Sequence, residues 1–311
     1  MKRIQYHQYG GPEVMRLEDF EPARPKAGQV SVRVRAAAAN PYDWKVRNGE
    51  MKVMTGRTFP RGLGYDFAGV VESVGPCVTR FKVGDDVLGA AQIKASGAFA
   101  EMVAADEKGI AKKPSKPSFE EAAAIPTVGV AALQALRNTA KLKAGEAVFV
   151  HGCLGGVGRA AVQIASARGA AVVAGSCRVN TMQEARDLGV TPAVEFDSIP
   201  TTLNGQFDVV FDTVGTLAPK TARMLLGSGG RIVDIVPSAG KFVKGVLPGP
   251  YNVMIGRHNA NDLDELAQAC ARGTLQLPIA QTVPLSGAIA ALTELERNHT
   301  PRGGKLIITM S

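Results

Sequence analysis

The chain of 311 residues is predicted to be an α/β protein built on a doubly wound parallel sheet, and three observations predict it. The first is Val148–Phe149–Val150, a buried-strand run, followed at once by Gly152, Gly155, Gly156 and Gly158. Val157, Ala161, Ile164 and Ala165 then recur at helical spacing. The second is a set of strand-like runs near 147–150, 171–174, 208–211 and 231–236, separated by helix-length segments. That alternation gives right-handed crossovers and a parallel sheet. The third is a change of texture near Ser118, with strand-and-turn material before it and βαβ alternation after it.

Taken in order, Val30–Ser31–Val32–Arg33–Val34–Arg35 alternates as a half-buried strand should. The apolar run from Phe67 to Val74 is closed by Gly75, and Val83–Gly84–Asp85–Asp86 is a turn before Val87–Leu88–Gly89. Ser118 with Glu121 three residues on is a capping-box signature for a helix start. The helix after the glycines should end near Arg168–Gly169. The last fifty residues are mixed and end in the strand-like Lys305–Leu306–Ile307–Ile308–Thr309.

Strand, glycine turn and helix in that order suit a dinucleotide. Glycines let backbone approach a pyrophosphate, and amides at a helix N-terminus favour its charge. Gly155, Gly156, Val157 and Gly158 are therefore the expected phosphate contacts. An NAD site would place Asp or Glu at the end of the next strand, for the ribose 2′-hydroxyl. Here that position reads Ser176–Cys177–Arg178–Val179–Asn180, with no acid before Glu184. A hydroxyl on Ser176 and a guanidinium on Arg178 would hold a 2′-phosphate, which a carboxylate would repel. The expected cofactor is NADPH; the competing reading makes Arg178 a solvated loop charge.

Hydrophobic content of 45% and charged content of 21% are those of a globular chain. Cys77, Cys153, Cys177 and Cys270 form no CxxC pair, and the chain shows neither a signal peptide nor a bilayer-length apolar run. They read as reduced thiols in a cytoplasmic protein with no membrane partner. Cys153 has two readings: a thiol made acidic by the helix N-terminus, or a small residue that fits the turn. The net charge of +8 raises nucleic acid as a partner. It is spread along the chain, however, and Lys112–Lys113–Pro114–Ser115–Lys116 is the nearest approach to a basic block. A phosphate-rich cofactor accounts for a basic balance, so nucleic acid is a secondary reading.

Several motifs occur in a fixed order. They are Asn40–Pro41–Tyr42–Asp43–Trp44–Lys45, Gly62–Leu63–Gly64–Tyr65–Asp66–Phe67–Ala68–Gly69, Gly97–Ala98–Phe99–Ala100–Glu101 and Ile125–Pro126–Thr127–Val128–Gly129. The glycine loop, Asp212–Thr213–Val214–Gly215 and Gly304–Lys305 complete the set. From end to end the chain resembles the medium-chain dehydrogenase/reductase superfamily, in its zinc-free quinone oxidoreductase branch. The resemblance implies a Rossmann-type nucleotide domain, 119–258, inserted in a mostly β GroES-like catalytic domain, 1–118 and 259–311. It implies a homodimer joined through an edge strand, for which residues 251–256 are the candidate. It puts Asn40 and Thr127 beside the nicotinamide, and Val214, Gly215 and Ile235 around its ribose and ring.

Zinc-dependent relatives bind their metal through a Cys and a His at the positions resembling Asn40 and Tyr65. An amide and a phenol are poor substitutes, and no Cys falls in 90–115, where those relatives carry a structural zinc. No metal is expected. Without a Lewis acid, reduction of a conjugated substrate is easier than alcohol oxidation. Tyr65 is the expected hydrogen-bond donor to the developing oxyanion, its competing reading being a cleft-lining aromatic. Tyr42 and Trp44 read as core, and Asp43 with Lys45 as a structural ion pair or hydrogen-bonded anchor. The expected substrate is a quinone, with an alkenal or other enone as the alternative and a nucleic-acid-binding or structural role as the alternative of another class. Enoyl-thioester reductases carry a Tyr near the stretch resembling 49–54, and this chain has none there.

Overall fold

The computed structural model describes residues 1–92, 97–236, 248–299 and 303–310. They fall into two compact units, Met1–Thr127 with His258–Ser311, and Val128–Arg257.

The first unit begins with β1 (Lys2–Tyr6), β2 (Arg16–Asp19), β3 (Gln29–Ala38), helices α1 (Pro41–Arg47) and α2 (Lys52–Thr55), and β4 (Arg61–Gly62). There follow β5 (Asp66–Val74), β6 (Asp86–Ala90), β7 (Met102–Asp106), β8 (Ile110–Lys112) and α3 (Phe119–Ala123). The valines of β3 face inward with Phe67, Val87 and Ile110, as strict alternation requires. Ser118 and Glu121 cap α3 reciprocally. This helix packs on β3 and β5, so it belongs to the first unit, although the change in sequence texture falls before it. Its apolar face, Ala122 and Ala123, is fully buried.

Helix α4 (Pro126–Gln134) runs into a π-helical turn, Ala135–Thr139. The second unit then winds through β9 (Ala147–His151), α5 (Gly156–Ala167), β10 (Val172–Cys177), α6 (Met182–Asp187) and β11 (Ala193–Glu195). It continues with β12 (Phe207–Asp212), α7 (Pro219–Leu225), β13 (Leu226–Asp234) and β14 (Tyr251–Val253). All pair in parallel, in the order β11–β10–β9–β12–β13–β14. Val148, Phe149 and Val150 are wholly buried, as a strand covered on both faces must be. The strand order reverses between β9 and β12, and ligands of such sheets bind outside the carboxyl ends at that reversal.

The chain returns to the first unit with α8 (Ala260–Ala271), β15 (Ile279–Pro284), α9 (Ala288–Asn298) and β16 (Lys305–Thr309). Its larger sheet has the order β15–β16–β3–β5–β6–β8, with β7 also on β3. Strand β16 lies antiparallel to β3, and that register brings Lys305 to the turn after Ala38.

Candidate functional site

In the second unit, four loops meet at the carboxyl ends of neighbouring parallel strands. The loop after β9 holds Gly152 and Gly155, and Gly155 is the N-cap of α5 with no side chain bonded to its first-turn amides. Gly156, Val157 and Gly158 form that first turn. Gly158 is required by packing, since a Cβ there would lie 2.0 Å from the Gly152 carbonyl oxygen. Gly152 has φ +82°, and its missing Cβ leaves room for Val214. After β12, the Asp212 carboxylate accepts from the amides of Val214, Gly215 and Leu217 at 3.0, 2.7 and 3.0 Å, and so shapes that loop. A Cβ on Gly215 would meet Val236, so the Val214–Gly215 turn packs closely on the turn carrying Ile235. Open helix amides, a loop that a Cβ would fill and an exposed Val214 fit the pyrophosphate and ribose of a dinucleotide.

At the end of β10, Arg178 is exposed and its guanidinium has no partner among the described residues. The first acid beyond it, Glu184, is engaged with Arg159. Ser176 requires a correction. It is wholly buried, and its Oγ lies 2.7 Å from His151 Nδ1, so it presents no group to a phosphate. His151 in turn reaches Thr216 Oγ1 at 3.0 Å, and burial holds its imidazole below the ordinary value against the pull of Asp212. The signal was the strand period: a residue paired with His151 inside β10 points into the sheet's packing, whereas Arg178 lies just beyond it. Cys153 is also settled. Burial, with Cys177 beside it, pushes its thiol up to about 12, so it is a small packing residue and not an acidic thiol.

In the first unit, a buried polar network joins β16, the turn after β3, β5 and Thr127 at the start of α4. Lys305 Nζ donates to the Ala39 carbonyl at 2.9 Å and to Asn40 Oδ1 at 2.5 Å. Asn40 Nδ2 donates to Asp66 Oδ2 at 2.9 Å, and Asp66 Oδ1 accepts from Thr127 Oγ1 at 2.6 Å. The Thr127 hydroxyl lies 3.5 Å from His258 Nε2. Burial lowers the pKa of both Lys305 and His258, while the Asp66 charge opposes it. The amide of Asn40 is thus used inside the network, and Thr127 is the sequence-predicted residue whose hydroxyl oxygen still offers lone pairs.

Asp43 makes no ion pair with Lys45. Its Oδ2 accepts from the Asn40 amide at 2.7 Å, and the cation whose charge it feels is Lys305. Burial pushes its carboxyl up to about 8. Tyr65 is 7% exposed and packs edge-to-face on Tyr42, with ring centroids 4.9 Å apart. Its hydroxyl has no partner among the described residues, and burial raises its pKa so that it stays protonated. Trp44 is half-buried rather than in the core. Asp66, Lys305 and His258 were missed by side-chain reasoning, because nothing in their local sequence separates a buried ion from a surface one.

The two positions that resemble zinc ligands do not fit a metal. Asn40 is consumed by Lys305 and Asp66, and Tyr65 holds its proton. Among the described residues no group of three or more His, Cys, Asp or Glu could hold a metal ion. A separate concavity of about 820 Å³ opens at the amino ends of β13 and β14, lined in part by Lys141, Lys143 and Arg231. Arg231 there is committed to Glu146 and the Ala140 carbonyl, so no chemistry converges on it.

A doubly wound sheet with an open glycine-loop helix is the architecture on which dinucleotide-binding proteins are built. The family model described as alcohol dehydrogenase GroES-like domain matches residues 26–115, and that described as zinc-binding dehydrogenase matches 188–308. The chain is 32% identical to a quinone oxidoreductase of Pseudomonas aeruginosa, covering 96% of this chain and 97% of the relative. It is 32% identical to the chloroplastic NADPH-dependent alkenal/one oxidoreductase of Arabidopsis thaliana, covering 99% and 79%. Among solved structures, the quinone oxidoreductase of Coxiella burnetii superposes with a TM-score of 0.88 at 31% identity, covering 100% and 99%. The chain belongs to the medium-chain dehydrogenase/reductase superfamily, in its quinone oxidoreductase branch. It is an oxidoreductase of a family whose members bind nicotinamide cofactors. No described helix is long and apolar enough to cross a membrane.

Proposed function

We propose that this oxidoreductase is an NADPH-dependent, metal-free reductase of quinones, with alkenals and other enones as the second reading. The observation that carries it is Tyr65, a largely buried, protonated phenol whose hydroxyl has no partner among the described residues. NADPH, when bound, would supply a hydride to the conjugated substrate, and a proton from solvent would complete the reduction. Tyr65 donates a hydrogen bond to the substrate oxygen that gains negative charge, in a site dry enough for that bond to count. Thr127, fixed by Asp66, offers its oxygen to the nicotinamide carboxamide, while Asn40 positions Asp66. Gly155, Gly156, Val157 and Gly158 bind the pyrophosphate, and Val214, Gly215 and Ile235 line the ribose. The names of the Pseudomonas and Arabidopsis relatives support quinones and enones in turn. Strand β14, at the sheet edge beside the exposed Ile255, is the proposed homodimer contact.

Arg178 is the proposed 2′-phosphate ligand. Arg178→Ala should weaken NADPH by about 1.5–3 kcal/mol, the worth of a charge-assisted bond, and leave NADH nearly unchanged. Calorimetry giving the unmutated protein equal affinity for both cofactors would contradict the assignment. Prolonged dialysis against a strong chelator should leave turnover and melting temperature unchanged. Stoichiometric zinc in the purified protein, lost together with activity, would count against metal-free chemistry.

A further inference from the structure

Arg61 is 3% exposed and stands directly across from Tyr6 in the antiparallel register of β4 and β1. Its Nη2 donates to the carbonyls of Thr55, Gly56 and Thr58 at 2.8, 3.3 and 3.3 Å. Its Nε and Nη1 have no hydrogen-bond partner, and neither has the Tyr6 hydroxyl opposite. The rings of Phe59 and Tyr9 lie 5.7 and 6.0 Å from the guanidinium carbon and offer it only their faces.

No carboxylate pairs with Arg61 among the described residues. Asp43 lies near enough to act on Tyr6 and Tyr65, but burial pushes it up to about 8, so near neutral pH it carries little counter-charge. The neighbouring cation Arg47 is already matched, by Glu296 at 2.6 Å. A buried guanidinium without a counter-ion, with two of its three nitrogens unbonded, is among the costliest arrangements a core can hold. A carboxylate has both the charge and the lone pairs that Arg61 and Tyr6 lack. The chain from Arg61 leads within four residues to Tyr65, whose hydroxyl feels the charge of Arg61. The atoms are covered, so entry requires the adjoining α2 segment to shift. Its Val53 and Met54 are 94% and 54% exposed, so the shift is resisted chiefly at Thr55, which Arg61 and the Tyr9 hydroxyl hold.

We propose that Arg61 and Tyr6 form an anion subsite of the substrate pocket, which takes a carboxylate carried by the enone or quinone whose reacting oxygen meets Tyr65. The inference rests on the reductase reading given above. The test is calorimetry on the full chain with 4-oxopentanoate and its methyl ester, probes that differ only in the charge. The native protein should bind the acid at least tenfold more tightly than the ester. Arg61→Met should bring the acid to the level of the ester and leave the ester unchanged, and Tyr6→Phe should remove part of the preference. Absent or equal binding of the acid in the native protein overturns the subsite. So does an Arg61→Met that weakens both probes alike, which would make Arg61 a prop for the 55–58 carbonyls. If Arg61→Met does not fold, the native comparison and Tyr6→Phe decide the matter. Turnover of the unsaturated pair, 4-oxopent-2-enoate and its ester, is read separately with NADPH. Acid-selective binding without turnover sinks the reductase reading and keeps the subsite; turnover without acid preference does the reverse.

Discussion

Lys305→Met is expected to cost about 3–5 kcal/mol of folding stability, the range for removing one partner of a buried ionic group. Lys305 is 8% exposed and is the cation whose charge Asp66 and Asp43 face. Methionine fills much of the same volume, so the loss isolates the charge and its two hydrogen bonds, to Ala39 and Asn40. Without them Asn40 Oδ1 is stranded and Asp66, fully buried, loses its compensation. Asp66 in turn fixes Thr127, so cofactor affinity should fall with stability. Urea titration followed by fluorescence measures the first effect and calorimetry with NADPH the second. A loss below about 1 kcal/mol would mean that the network is worth no more than solvent-exposed ion pairs, at odds with its burial.

Tyr65→Phe should lower kcat by about 10²–10³-fold, the worth of one oxyanion donor in a dry site, with KM little changed. The phenyl ring keeps the edge-to-face contact with Tyr42, so packing alone predicts almost no effect. Enones should suffer more than quinones, because reduction of a quinone yields the better-stabilised anion. An unchanged rate on every substrate would return Tyr65 to cleft lining and leave catalysis to positioning.

How much of this was legible in the sequence depended on range. The parallel strands were visible because burial on both faces writes continuous apolar runs, as in Val148–Phe149–Val150. The Ser118 cap was visible because its partner lies three residues away. Ser176 was misread because the end of β10 could not be fixed to a single residue, and one residue decides which face a side chain takes. The Lys305–Asn40 bond joins residues 265 positions apart, and no local pattern reports it. Of the two readings for Asp43, the hydrogen-bonded anchor is the one formed, on the Asn40 amide at the helix start, while the ion pair with Lys45 is not. Arg61 was invisible for the same reason as Lys305: its missing partners are a property of the folded neighbourhood.

The most direct test of the account is NADPH oxidation followed across a panel of small quinones and a panel of enones, using cofactor deuterated at the nicotinamide C4. The account predicts oxidation that depends on the substrate, with deuterium recovered at the β-carbon of the reduced enone and slow turnover of simple alcohols with NADP⁺. No oxidation with either panel, or enone reduction without deuterium at the β-carbon, would contradict it.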